Sequence, residues 1–134
     1  MILRYIKKII LILVCLPFML IGIFILSELF GMGVNHFATY RQTSKLRHNL
    51  TEGVSDIEIL DVYSETGNTG ATGNHVDCLS IVSFSSSQPL EAIQNSMEKY
   101  YEFNEWYCRI DKTEQGYEFY LNTSAPFADN IEGH

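Results

Sequence analysis

The chain has 134 residues, and its apolar residues and its charges are unevenly distributed. Ile9–Phe30 is a 22-residue run that contains 18 apolar residues. Residues 1–50 carry six Lys and Arg against one Glu, whereas residues 51–134 carry three against fifteen Asp and Glu, a net charge of −12. These figures exclude a wholly soluble chain and a multi-pass membrane protein. They also argue against a nucleic-acid-binding protein, because a strongly acidic surface repels phosphate.

The apolar run predicts a single transmembrane helix over residues 9–30. A membrane-spanning helix needs about 20 mostly apolar residues, because each residue adds about 1.5 Å against a hydrocarbon core of about 30 Å. A cleaved signal peptide is the alternative, but its apolar region is usually shorter and ends in a small-residue cleavage site, which residues 27–31 lack. The sequence therefore predicts an uncleaved anchor that contacts the lipid bilayer through residues 9–30.

Basic residues beside the anchor predict its orientation. Arg4, Lys7 and Lys8 immediately precede the apolar run. Positively charged residues close to a span stay in the cytoplasm, so residues 1–8 are predicted to be a cytoplasmic tail. The part of the chain that follows the anchor is predicted to lie on the extracytoplasmic side of the cell membrane.

Two segments with weak structural signals flank the acidic part of the chain. Residues 31–50 are predicted to be a juxtamembrane linker, in which Gly31 and Gly33 allow a bend at the membrane surface. The three Lys and Arg residues of this linker either lie against anionic lipid headgroups or are simply solvated. Residues 125–134 contain Pro, Gly and polar residues and are predicted to be a flexible tail.

Residues 51–124 are predicted to form a small acidic α+β domain. Between two pairs of strands, Pro89 and Glu91 mark a helix start, and apolar residues then recur at three- and four-residue spacing. The predicted order is β-β-α-β-β, an antiparallel sheet with one helix covering a face. Tyr107 and Tyr120 fall on the opposite faces of their strands and are predicted to contribute to an exposed, interface-like surface. Alternating apolar residues predict the four strands over residues 56–63, 76–84, 106–111 and 117–121.

Cys78 and Cys108 both lie on the apolar face of a predicted strand. Outside the cytoplasm, two cysteines in a small domain are commonly joined, and a bridge stabilises such a domain by about 2–4 kcal/mol. The sequence therefore predicts a disulfide between them. One alternative is a pair of small core residues that never meet. The other is a catalytic thiol at Cys78, which has no cationic neighbour to lower its pKa.

A glycine-rich loop joins the first two predicted strands. Its backbone amides and its Asn and Thr oxygens are candidates to bind an anion or a cation, and long loops on rigid scaffolds often carry binding surfaces. An ordinary hairpin loop is the alternative, because the loop lacks the Lys and helix of a phosphate-binding loop and the carboxylates of a calcium loop. The candidate binding residues are Gly67, Asn68, Thr69, Gly70, Thr72, Gly73, Asn74, His75 and Asp77.

The spacing of the His, Cys and acidic residues matches neither a metal site nor a catalytic set, so we expect no cofactor, no metal and no enzymatic activity. The predicted function is a single-pass membrane-anchored protein that presents a small acidic extracytoplasmic domain to a basic protein or peptide. One alternative is a small cell-envelope enzyme that uses His75, Asp77 or Cys78. The other is an accessory subunit of a membrane complex. A candidate acidic face on the predicted helix consists of Glu91, Glu98, Glu102 and Glu105.

Overall fold

The computed structural model describes residues 2–70 and 73–134, with side chains from residue 4 onward within those ranges. Two α-helices, four β-strands and one short 3-10 helix follow one another along this described part of the chain. Their bounds are α1 (Ile2–Gly53), β1 (Glu58–Gly67), β2 (Asp77–Ser85), α2 (Leu90–Met97), β3 (Cys108–Thr113), β4 (Gly116–Ser124) and the 3-10 helix (Ile131–Gly133).

Helix α1 has 52 residues and consists of two parts with different surroundings. In its first part, residues 4–27, every side chain is exposed apart from the position of Gly22, which is partly covered. In its second part, residues 28–53, one face of the helix is buried against the rest of the protein. Pro17 lies inside the first part without ending the helix. This first part makes α1 long and apolar enough to cross a membrane.

The four strands form one antiparallel sheet in the order β1-β2-β4-β3. β1 and β2 pair along their whole length, with a bulge between Ile59 and Asp61. After β2 the chain passes through α2 to the far edge of the sheet, where it forms β3. A two-residue turn between Thr113 and Gly116 then returns it as β4, which lies beside β2. β2 and β4 are therefore the central strands, and β1 and β3 are the edges.

One face of the sheet carries the hydrophobic core. The second part of α1 and the whole of α2 pack on this face, where Phe84 and Phe119 are fully buried. The ring centroid of Phe119 lies 5.2 Å from that of Tyr101 and 5.6 Å from that of Phe103, so the core has an aromatic centre. The buried members of the cluster are Leu46, Leu50, Val54, Val82, Phe84, Ile93, Met97, Cys108, Ile110, Tyr117, Phe119 and Leu121.

The contact between α1 and the sheet becomes polar toward the first part of the helix. The hydroxyl oxygens of Thr43 and Ser80 are 2.7 Å apart, and both side chains are buried. The amide of Gln42 donates to the carbonyl oxygen of Cys78 at 2.7 Å. Hydrogen bonds therefore join helix to strand between the main core and a small apolar cluster of Ala38, Val76, Cys78 and Ala125. They satisfy polar groups that burial would otherwise penalise.

The α+β class and the antiparallel sheet are confirmed. The order of the elements differs from the predicted β-β-α-β-β because α1 also packs on the sheet and a 3-10 helix follows β4. We expected a single helix to cover the sheet, whereas α1 covers the same face as α2 and buries Leu46 and Leu50. Residues 31–50, predicted to be a linker, are helical throughout. Gly31 makes room for another segment, because a Cβ atom there would lie 2.8 Å from Nδ2 of Asn130.

That segment is residues 125–134, which we predicted to be a flexible tail. It lies between α1 and Val76, the residue that precedes β2, and makes specific hydrogen bonds to both. The amide of Val76 donates to the carbonyl oxygen of Ala128 at 2.8 Å, and the amide of Ala125 donates to that of Val76 at 2.9 Å. On the other side, the fully buried side chain of Asn35 exchanges two hydrogen bonds of 2.9 Å with the backbone of Phe127.

Candidate functional site

The sheet face opposite the core carries neither α1 nor α2, and we name it the open face. On this face Tyr63 is opposite Ile81, which is also opposite Tyr120 on its other side. Tyr120 is in turn opposite Arg109. Because opposed residues of antiparallel strands share a face, these side chains form one row across all four strands. Tyr63 is 47% exposed, and the other three are partly exposed.

Carboxylates flank this row on both sides. Residues two positions apart on a strand point to the same face, so the register places Asp61, Glu118 and Asp111 on one side of the row. Glu65 lies on the other side, and Asp77 lies further along β2 at the end of the strand. The open face is therefore an aromatic and aliphatic row within an acidic surround.

Arg109 occupies one end of the row and is held there by two interactions. Its guanidinium lies 4.0 Å from the ring centroid of Tyr120, which is the geometry of a cation–π contact. Its Nε donates to Oδ2 of Asp111 at 2.8 Å. The ring and the carboxylate together thus form a seat for a guanidinium on this surface.

Tyr63 lies at the other end of the row, on the edge strand β1. Its hydroxyl donates to a carboxylate oxygen of Glu65. This hydrogen bond is the main reason why the pKa of Tyr63 is raised, with smaller contributions from burial and from the negative charge of Glu65. The ring and the carboxylate therefore lie side by side on the surface, in the combination that holds Arg109 at the other end.

The glycine-rich loop folds over one end of the open face. The amide of Gly70 donates to Oδ2 of Asp77 at 3.0 Å, and the hydroxyl of Thr69 lies 3.2 Å from Oδ1 of Asn122. These contacts leave Asp77 and Asn122 almost fully buried. The carboxylate of Asp77 therefore holds the loop in place. Thr72, which we predicted to be a binding residue, lies outside the described residues.

The remaining residues of the loop have different surroundings. The side chain of Asn68 donates to the carbonyl oxygen of Gly73 at 2.6 Å, which ties the loop to itself. Gly67 and Gly73 have positive φ angles, and Asn74 is exposed. In the described part of the loop and the chain, no group of three or more His, Cys, Asp or Glu side chains is arranged to hold a metal ion.

A cleft of about 330 Å³ opens beside the loop, where the loop meets the end of the open face. In its lining, Nε2 of His75 lies 3.5 Å from Oδ1 of Asp77. The structure thus brings two of the predicted loop residues together with Tyr107, one of the two tyrosines predicted to be exposed. The cleft is lined by His75, Asp77, Tyr107, Asn122, Thr123 and Ser124.

The predicted disulfide between Cys78 and Cys108 is wrong, because both thiols are free. Cys78 is opposite Thr123 on one side of β4, and Cys108 is opposite Leu121 on the other side. Neighbouring strands are about 4.8 Å apart, so cysteines separated by a whole strand exceed the Cα separation of about 7 Å that a disulfide tolerates. The strand order, which places β4 between them, decides this outcome.

Both buried thiols resist ionisation. Burial raises the pKa of Cys108 from its ordinary value of 9.0 to about 11. The pKa of Cys78 is also raised, chiefly by burial, although a hydrogen bond with Thr39 opposes the rise. A catalytic thiol needs a lowered pKa, so the surroundings of Cys78 are those of a core residue and not of a nucleophile.

The four glutamates of the predicted acidic face do not share one helix face. Helix α2 ends at Met97, so Glu91 lies in its first turn and Glu98 directly after its end. Glu102 and Glu105 lie in the connection to β3, and all four side chains are exposed. Their charges are therefore spread over a loop and a short helix.

The row on the open face escaped the sequence analysis because its members come from four different strands. Tyr120 carried a usable signal, since it alternates with the apolar residues of its strand. The positions of Tyr63 and Arg109 on this face could not be predicted without the strand register.

Comparison of the chain with family models, with curated proteins and with solved structures found no match. The open face and the exposed apolar part of α1 are therefore the features that bear on the function.

Proposed function

We propose that the chain is a single-pass membrane protein whose small acidic domain binds a basic protein or peptide, and that the open face is the binding surface. The observation that carries this proposal is the row of Tyr63, Ile81 and Tyr120 between two sets of carboxylates. Tyrosine is enriched at binding interfaces, where its ring supplies contact area and its hydroxyl remains hydrated. Carboxylates around such a row favour Lys and Arg side chains on the partner.

The position of Arg109 supports a guanidinium-bearing partner. Its side chain stacks on the ring of Tyr120 and donates a hydrogen bond to the carboxylate of Asp111. The chain itself therefore contains the kind of guanidinium contact that we propose for the partner. Tyr63 offers a similar ring with Glu65 next to it, and no cation from the described residues lies over this ring. We expect an arginine of the partner to stack on the ring of Tyr63, as Arg109 stacks on Tyr120 at the opposite end of the row.

The first part of α1 supports the membrane anchor. Its apolar side chains are exposed on all sides of the helix, and such a surface is far larger than soluble proteins ordinarily leave in water. Because α1 continues without interruption into the hydrophobic core, the anchor and the domain are joined by helix. The open face would therefore be presented at a defined height above the bilayer.

The proposed orientation places the domain outside the cytoplasm. We expect a reporter fused after His134 to be active only on the extracytoplasmic side, because Arg4, Lys7 and Lys8 retain the N-terminal end in the cytoplasm. Paired fusions to an enzyme that folds only outside and to one that is active only inside would measure this. Replacing the three basic residues by Ser is the matched control and should raise the cytoplasmic signal. A reporter active only in the cytoplasm would reverse the orientation.

Charge reversal on the open face tests the binding surface. In the full chain in nanodiscs, we expect Asp61→Lys with Glu65→Lys to weaken binding of an oligo-arginine peptide by roughly tenfold or more, because like charges then face the peptide. The control pair, Glu91→Lys with Glu98→Lys, changes the net charge equally but lies in α2 and directly after its end, away from the open face, and it should have a much smaller effect. Exposed charges contribute only about 0.2–1 kcal/mol to stability, so both pairs should fold.

The kinetics of oligo-arginine binding provide a second test of the electrostatic contribution to binding. Electrostatic steering acts on association, so we expect the on-rate to fall steeply as salt shortens the Debye length to about 8 Å.

Replacing Tyr63 by Ser should remove most of the preference for oligo-arginine over oligo-lysine, because stacking on the ring favours the planar guanidinium. Equal losses for the two charge-reversal pairs would mean that binding follows net charge and that the open face is not the site.

A further inference from the structure

The C-terminal segment, residues 125–134, is bound to α1 at the end of the apolar run. The side chain of Asn130 donates to Glu28 twice, to the carboxylate at 2.8 Å and to the backbone carbonyl oxygen at 2.9 Å. The amide of Ile131 donates to the same carboxylate at 2.9 Å. Nε2 of His36 lies 2.6 Å from Oε1 of Glu132, about two helical turns further along α1. The segment is therefore held along α1 by side-chain and backbone hydrogen bonds.

These contacts determine the height of the segment relative to a membrane. From Ile9 to Glu28 a helix rises about 28 Å, which is close to the hydrocarbon thickness of about 30 Å. If the apolar run spans the bilayer, Glu28 therefore lies at the boundary of the hydrocarbon on the side of the domain. Asn130 and Ile131 lie at the same level, because they bind this carboxylate directly. An ionisable group at such a depth is ordinarily paired or hydrogen-bonded, and Glu28 satisfies that rule.

The segment presents apolar side chains at this level. Phe127 is 42% exposed and Ile131 is 56% exposed. The ring of Phe127 packs edge to face against Phe30, the last residue of the apolar run, with 5.8 Å between the centroids. The exposed surface of the anchor thus continues directly onto the segment. Phe and Leu side chains of interfacial segments insert at this boundary.

A crevice of about 350 Å³ lies between α1 and the segment. Its walls combine apolar and polar groups, as the boundary between acyl chains and headgroups does. They are formed by Ser27, Glu28, Pro126, Phe127, Ala128, Asp129 and Asn130.

From this placement we infer that residues 126–131 form a second membrane contact, in which Phe127 and Ile131 insert among the lipids at the surface of the bilayer. The inference rests on the proposed span of α1 and adds a lipid-binding element from the opposite end of the chain. The occupant is a zwitterionic lipid interface, because Asp129 and Glu132 would be repelled by anionic headgroups. The domain is then attached to the bilayer through α1 and rests on it through this segment.

Fluorescence quenching by brominated lipids tests the inference in the full chain. Trp106 is replaced by Phe, which is tolerable because Trp106 is exposed, and a single Trp is placed at Phe18, Phe127, Ile131 or Leu60. The protein is reconstituted in phosphatidylcholine nanodiscs whose lipids are brominated either near the headgroup or deep in the acyl chains. Unbrominated lipid supplies the reference intensity. Protection of the thiols of Cys78 and Cys108 from labelling verifies that each variant is folded.

We expect Phe127→Trp and Ile131→Trp to lose most of their fluorescence with the shallow bromines and less with the deep ones. Phe18→Trp should be quenched most strongly by the deep bromines, and Leu60→Trp in β1 should be unaffected by either. If the variants at Phe127 and Ile131 behave like Leu60→Trp while Phe18→Trp is quenched, the second contact is wrong and the span stands. If Phe18→Trp is itself unquenched, the span fails and the second contact fails with it.

Discussion

Replacing Phe119 by Ala is expected to destabilise the domain by about 3–5 kcal/mol, the range found for truncating a buried aromatic side chain. Phe119 is fully buried and lies on the central strand β4. Its ring packs against Tyr101 and Phe103, so the substitution leaves a cavity in the aromatic centre of the core. Strand pairing on both sides prevents the surrounding backbone from collapsing into that cavity.

The buried thiol of Cys108 reports this loss in the full chain reconstituted in nanodiscs. Labelling of a buried thiol follows the population of opened molecules when closing is faster than the chemical step. A loss of 3–5 kcal/mol should therefore accelerate labelling by roughly 150- to 5,000-fold, since 1.36 kcal/mol is a factor of ten. Peptide mapping separates Cys108 from the other two cysteines. Phe37→Ala on the exposed side of α1 is the matched control, and an unchanged rate for Phe119→Ala would refute the assigned core.

Gly116→Ala is expected to cost about 3 kcal/mol or more, because a residue in a conformation reserved for glycine adds about 1–3 kcal/mol of strain to the steric clash. Gly116 has a φ of +146°, and a Cβ atom there would lie 2.4 Å from the carbonyl oxygen of Phe84. The neighbour is backbone of the central strand β2 and cannot rotate away. Either β2 or the β3–β4 hairpin must shift, and the register between them is lost locally.

The functional consequence of Gly116→Ala should be as large as the structural one. The β3–β4 hairpin carries Arg109, Asp111 and Tyr120, so a displaced hairpin disrupts the open face. We expect faster labelling of Cys108 together with weaker binding of oligo-arginine. The control is Gly33→Ala, where the added Cβ meets nothing within 4 Å and helix propensity improves. Equal behaviour of the two variants would show that the turn does not have the described geometry.

The proposed binding surface has a defined position relative to the proposed membrane contacts. The end of the sheet that carries the loop and the cleft lies beside Asn35 and Thr39 of α1, near the apolar run. The β3–β4 turn lies at the other end, where the core contacts Leu50 and Val54. The open face therefore runs outward from the proposed bilayer surface. A basic partner would dock along the side of the domain, with the cleft at its membrane end.

Some features were predictable because they depend on residues that are neighbours in the chain. The apolar run, the alternation of the strands and the short amphipathic helix are local periodicities. The outward direction of Tyr120 followed from the same alternation. The second part of α1 was missed for a related reason. Its buried stripe contains Asn35, Thr39 and Thr43, and a stripe of polar residues gives no hydrophobic period.

By itself the sequence determined the apolar helix, the α+β class and the acidic character of the domain. Only the tertiary structure decided which distant residues meet. The order β1-β2-β4-β3 separates Cys78 from Cys108 and aligns Tyr63 with Arg109. The burial of Asn35 and the hydrogen bonds to Glu28 depend on a segment about a hundred residues away. The physical reason is that strand order and docking are selected by the packing of the whole chain, whereas periodicity depends only on the geometry of the local backbone.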